Sequence, residues 1–297
     1  MISTKIKKKI ALAIRQQSEN YTSYIKQSTA LGISPSQISR VVNGETEGVL
    51  SDANWISIAR KYNVMLKDEV AIKTARTTVF NYIYQQLEFA QANSVSGILC
   101  DRADIGKTHT AKIYAREHRN VAYVDCSRSR TQQRFIRAIA QEFGINNKGA
   151  YHDVFDNLVF YLRTIDNPMV ILDEFGDLLY GTYLEFKALW NATDKFCGWY
   201  AMGADGLRTK LDRHINNKKV GFAEIFSRLG NKYQKITPAD EKGFARFQKK
   251  QIADIGTANG CVNIQQLHVK TNLSLRRIPI QLGLERKEIA ANANKPA

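Results

Sequence analysis

The stretch GILCDRADIGKTHTAKIYA, residues 97 to 115, sets Gly106, Lys107 and Thr108 at the end of a loop between an apolar strand and a helix start. Those residue types at that spacing suit one task, holding the phosphates of a nucleotide. Successive backbone N–H groups of a glycine-containing loop point at the anion, the next helix offers its positive end, and a lysine and a hydroxyl complete the cage. The pattern G-x-x-x-x-G-K-[ST] gives Lys107 the β- and γ-phosphates of ATP and makes the Thr108 hydroxyl a ligand of Mg2+. The loop as a whole (Asp101, Arg102, Ala103, Asp104, Ile105, Gly106, Lys107, Thr108 and His109) is expected to wrap the nucleotide. One position departs from the pattern: Asp101 stands where the first glycine belongs. Aspartate tolerates the left-handed turn better than most side chains do. Its charge is the harder matter, since a carboxylate about 5 Å from a phosphate costs roughly 3 kcal/mol at an effective dielectric of about 20. Weak ATP binding and slow hydrolysis are the expectation. Asp104 matters less, because the pattern leaves its position open.

The segment PMVILDEFGDLL supplies a second half. An apolar strand delivers Asp173 and Glu174 to its C-terminal end, where open α/β sheets bind ligands. Asp173 is suited to hold magnesium, and Glu174 to polarise an attacking water. Together, loop and acidic strand specify an ATPase more narrowly than either does alone.

The elements that must position these residues show in the periodicity. From about residue 3 to 65 apolar residues recur at helical spacing. Between about 94 and 205 short β-rich runs, SGILC, VAYVDC, PMVILDEF and GWYAMGA, alternate with helices, and after about 236 the pattern is helical again. Strands separated by helices imply a parallel sheet. The expected fold class is α/β, with an N-terminal helical domain over residues 1–68, a nucleotide-binding core over 69–235 and a C-terminal helical lid and tail over 236–297.

In the first domain SYIKQSTALGISPSQISRVVNGE reads as helix, tight turn, helix, with Ile25, Leu31, Ile33, Ile38, Val41 and Val42 as a small core. Ser34-Pro35 is a cap followed by proline at the first helical position. The second helix offers Ser36, Gln37, Ser39 and Arg40 on its open side, types that reach base edges or phosphates. Two basic clusters lie further on: Arg128, Arg130 and Arg134 after the second strand, and Arg208, Lys210, Arg213, Lys218 and Lys219 after the fourth. A net charge of +15 over 297 residues exceeds what solubility requires and favours a polyanionic partner, nucleic acid first. Cys100, Cys126, Cys197 and Cys261 are scattered and fit neither a disulfide framework nor a zinc site. No run is long enough to span a membrane and the basic N-terminus is too soon polar for a secretory signal, so a cytoplasmic protein is expected.

Loop, acidic strand, a further strand GWYAMGADGL, an arginine after a helix in AEIFSRLGNKYQKI and paired arginines in NLSLRRIPIQL follow one another in an order that resembles the AAA+ ATPases over residues 70 to 285. With the N-terminal helix-turn-helix, the whole chain is similar to the phage Mu B transposition protein family. The resemblance implies that Asp205 or Ala204 takes the sensor place, that Arg228 reaches a neighbour's γ-phosphate, and that Arg276 or Arg277 acts from the lid. It also implies a homo-oligomer, filament or ring, on double-stranded DNA with little sequence preference, gripped by the basic clusters, and a DDE transposase as partner. Two other readings stay open: a helix-turn-helix transcription regulator with a degenerate nucleotide site, and an AAA+ helicase or replication loader.

Overall fold

The computed structural model describes residues 2–66 and 72–293. The chain opens with α1 (Thr4–Gln17), α2 (Tyr24–Leu31), α3 (Pro35–Val42) and α4 (Asp52–Lys61). Each starts at a serine, Ser3, Ser23, Ser34 or Ser51, whose side chain accepts a backbone N–H of the first turn. Their apolar stripes meet in one cluster built from Ile10, Ile14, Leu31, Ile38, Val41 and Trp55. Ile33 belongs to it and Val42 packs at its edge. Ile25, expected in this core, is 64% exposed, because its phase on α2 turns it outward.

The central layer follows: α5 (Thr78–Asn93), β1 (Ser96–Cys100), α6 (Lys107–Glu117), β2 (Val121–Asp125), α7 (Gln132–Glu142), α8 (Tyr151–Thr164), β3 (Met169–Asp173), α9 (Tyr180–Ala192), β4 (Gly198–Gly203), α10 (Asp205–Asn216), α11 (Phe222–Arg228) and β5 (Tyr233–Gln234). The strands form a parallel sheet of order β2-β3-β4-β1-β5, in register from Val121 opposite Met169 to Asp125 opposite Asp173. Strand alternation sorts the side chains. Ile98, Val170, Leu172, Trp199 and Ala201 face α7 to α11, while Leu99, Met169, Ile171, Tyr200 and Met202 face α5 and α6. Both faces being covered, the strands read as continuous apolar runs, which is why the sequence shows them. β5 is too short to carry a period.

Three helices end the chain, α12 (Glu241–Ala258), α13 (Ile264–Thr271) and α14 (Ile278–Ala293), around Ile252, Leu267, Ile278 and Leu282. The helical module at the N-terminus docks on the core. Lys61 pairs with Glu142 at 3.1 Å, the Asn20 amide donates to the Arg116 carbonyl at 2.6 Å, and Gly144 (φ 68°) lies so close to α2 that a Cβ there would sit 2.1 Å from the Lys26 carbonyl oxygen. The boundary expected at 68/69 falls on 67–71, outside the described residues; that at 235/236 falls between β5 and α12. Cys100, Cys126 and Cys197 are buried and all four thiols are free. Among the described residues no helix is long and apolar enough to cross a membrane.

Candidate nucleotide site and basic edge

The C-terminal ends of β1, β3 and β4 open into a cleft of about 1700 Å³, closed on one side by the N-terminal module and on the other by α14. Ala103 to His109 line it, as do Tyr123, Glu174 and Ala204. The turn depends on two left-handed residues, Asp104 (φ 59°) and Gly106 (φ 103°). At Gly106 a side chain would have space but not the backbone angle, so glycine is required by φ alone. α6 then begins at Lys107 with its N-terminus on the cleft.

Lys107 is 8% exposed and its ammonium donates to the carbonyls of Asp101 (2.8 Å) and Arg102 (2.7 Å). Burial, the largest influence, lowers its pKa against the raising effect of Asp101 and Asp173. The Thr108 hydroxyl donates to Asp173 Oδ2 at 2.6 Å, and the Tyr123 hydroxyl to the same oxygen at 2.8 Å. Asp173 Oδ1 accepts from the Glu174 N–H at 3.1 Å. Tyr123 was not singled out by the sequence, where it is one of several aromatics on an apolar strand. Among the described residues no cluster of three or more His, Cys, Asp or Glu could hold a metal ion. The oxygen pair of Thr108 and Asp173 fits a hard cation that brings phosphate and water ligands of its own.

Glu174 sits just beyond β3 in the left-handed region (φ 51°), with its side chain on the cleft. Burial raises its carboxyl above the ordinary glutamate value, and the negative charge of Asp173 adds to that, while Lys107 opposes it. His109 meets the Thr74 hydroxyl at 3.1 Å, and burial, then Arg116 and Lys112, hold its imidazole below the usual value.

Several expected residues lie elsewhere. Asp101 is fully buried and its carboxylate turns from the cleft: Oδ1 accepts from Arg102 N–H (2.7 Å) and the Thr237 hydroxyl, Oδ2 from the N–H groups of Ile236 (2.6 Å) and Thr237 (2.9 Å). The left-handed turn expected of it belongs to Asp104 instead. Arg102 forms a forked pair with Glu241 (2.6 and 3.1 Å) and lies over Phe244, 4.3 Å from its ring, so it binds the lid rather than phosphate. At the sensor place Ala204 lines the cleft, while Asp205 is an exposed first residue of α10. On the lid side Arg276, not Arg277, lines the cleft. Arg228 ends α11 outside the cleft, bonded to Asn191 Oδ1 at 2.7 Å.

The candidate DNA contacts separate likewise. Gln37 closes a capping box with Ser34 and donates to the Val49 carbonyl at 3.0 Å, which commits its amide to the fold. The signature S-x-x-Q was in the sequence. Arg40 is half exposed and paired with Glu45 at 2.8 Å. Arg128 lines the nucleotide cleft. Arg208 pairs with Asp212 (3.5 Å) and lies over Tyr233, and Lys210 donates to the carbonyls of Gly176 (2.6 Å) and Leu178 (2.9 Å), which makes it a structural tie. The remainder converge. Burial depresses the Lys210 ammonium most; Asp177 opposes that, while Arg130, Arg213 and Lys219 add to it, with Arg130 donating to the Asp177 carbonyl at 3.1 Å and Lys219 lying 4.1 Å from the Tyr180 ring. With exposed Lys218 they form one basic edge beside the N-terminus of α9, drawn from both sequence clusters.

Comparison with known proteins agrees with this geometry. Residues 90–211 match the family described as AAA domain. The Mu-like prophage FluMu DNA transposition protein B of Haemophilus influenzae is 24% identical over 221 residues, which cover 72% of this chain and 76% of that protein. Among solved structures, the ORC2 protein of Aeropyrum pernix, determined as ADPNP-ADP complexes, superposes with a TM-score of 0.53 at 18% identity, over 76% of this chain and 66% of that one. With its phosphate loop and acidic strand on a β2-β3-β4-β1-β5 sheet, the chain carries an AAA domain at residues 90–211 and is similar over most of its length to the Mu-like transposition protein B.

Proposed function

We propose that the chain is an ATP-dependent DNA-binding helper of transposition, which assembles in many copies on double-stranded DNA and recruits or activates a DDE transposase. The observation that carries this is the likeness to a transposition protein across 72% of the chain, supported by a cleft that brings Lys107, Thr108 and Glu174 together with Thr108 bonded to Asp173. In this reading Lys107 leaves the two loop carbonyls for the β- and γ-phosphates. Thr108 and Asp173 hold magnesium, which when bound offsets the charge that develops on the phosphates. Tyr123 fixes the Asp173 carboxylate, and Glu174 takes the proton of the attacking water. Arg228, outside its own cleft, serves the neighbouring copy.

DNA lies against the basic edge, where phosphate contacts give affinity with little sequence preference. Substituting Arg213, Lys218 and Lys219 together by alanine is expected to weaken binding to any duplex about equally. It is also expected to lower the slope of log affinity against log salt by about three, roughly one per lost phosphate contact. Fluorescence anisotropy at several salt concentrations measures this; an unchanged slope would place DNA elsewhere, with the exposed face of α3 the first alternative.

A further inference from the structure

We propose that Asp104 restrains the lid arginine Arg276, and that this restraint sets how strongly the site prefers ATP over ADP; the proposal rests on the nucleotide reading above. Asp104 lies in the phosphate loop three residues before Lys107, yet its carboxylate is occupied by the lid. Oδ2 accepts from the Ser274 hydroxyl at 2.6 Å, while Oδ1 accepts from the Arg276 N–H at 3.2 Å and lies 3.7 Å from Arg276 Nε. The Asp104 carbonyl accepts from the Gln248 amide at 2.8 Å, and Gln248 in turn accepts from Gln251 at 2.9 Å. One loop residue therefore holds both α12 and the turn that precedes α14.

The Arg276 side chain is 80% exposed and opens onto the same cleft as Gly106, Lys107 and Thr108. Its guanidinium is thus lightly held by one carboxylate, within the cleft where a more highly charged anion would lie. A terminal phosphate can compete for it; ADP lacks that phosphate. Removing the charge of Asp104 frees Arg276 and should favour ATP selectively. The left-handed angle at Asp104 (φ 59°) is one that asparagine adopts readily, so Asp104→Asn keeps the turn and neutral hydrogen bonds.

The test is titration of the full chain with fluorescent ATP and ADP analogues, using wild type, Asp104→Asn, Arg276→Gln and the double variant, with thermal melting to confirm that each is folded. Asp104→Asn should tighten ATP about 1.5- to 5-fold more than ADP, the range expected for a solvent-exposed ion pair. Arg276→Gln should weaken ATP, and in its background the selective gain should vanish. Equal tightening of both nucleotides, or a gain that survives Arg276→Gln, would reduce Asp104 to a general negative charge and overturn the proposal. Binding of neither nucleotide by the folded wild type would overturn the nucleotide reading itself, and this inference with it.

Discussion

Asp101→Gly, which restores the usual phosphate-loop pattern, is expected to destabilise the protein by on the order of 3–5 kcal/mol and to leave ATP affinity within about threefold of wild type. Its carboxylate is buried under the Ile236 and Thr237 N–H groups and the Thr237 hydroxyl. Without it those donors lose their buried acceptor, at about 1–3 kcal/mol each. At roughly 2–4 °C per kcal/mol, a rule for domains somewhat smaller than this chain, the melting temperature should fall by several degrees or more. Affinity should not rise, because the charge removed faces the connection to the lid. Thermal melting beside calorimetric ATP titration measures both quantities. ATP binding tenfold tighter in the glycine variant, with unchanged melting, would mean that the carboxylate turns to the phosphates when nucleotide enters.

The second large effect belongs to Glu174. Glu174→Gln is expected to keep ATP binding while slowing hydrolysis by about 10²–10⁴, the usual contribution of a positioned general base. The pH dependence follows from the same environment. Only the ionised carboxylate accepts a proton, and burial together with Asp173 raises the pH at which Glu174 becomes protonated. As pH falls, turnover should therefore decline earlier than an unperturbed glutamate would require, and the variant's residual rate should lack that limb. Phosphate release followed across the acid range measures it. A variant with near wild-type turnover would move the base to another residue.

How much of this was legible in the sequence depended on the distance over which a residue is held. Lys107, Thr108, Asp173 and Glu174 are positioned by the strand or helix they sit on or adjoin, so local pattern sufficed to place them together at one cleft. Asp101 and Asp104 are fixed by Thr237, Ser274 and Arg276, more than 130 residues away, and no local pattern reports those partners. The choice of Arg276 over Arg277 turns on the phase of a short turn before α14. Basic residues were countable as clusters, but only packing separates Lys210, spent on two carbonyls, from Arg213, Lys218 and Lys219 on the open edge. Gln37 was misjudged for a different reason: its capping-box spacing was visible and outranks its resemblance to a base-reading side chain.

Nucleotide-controlled assembly on DNA can be seen by electron microscopy of the protein on a long duplex of arbitrary sequence, with ATP and magnesium, with ADP, and with no nucleotide. Continuous protein-coated filaments with ATP and few or none in the other two conditions are the predicted result. Isolated particles at rare sites, the same in all three conditions, would contradict it and favour a sequence-reading regulator whose nucleotide site serves only the fold.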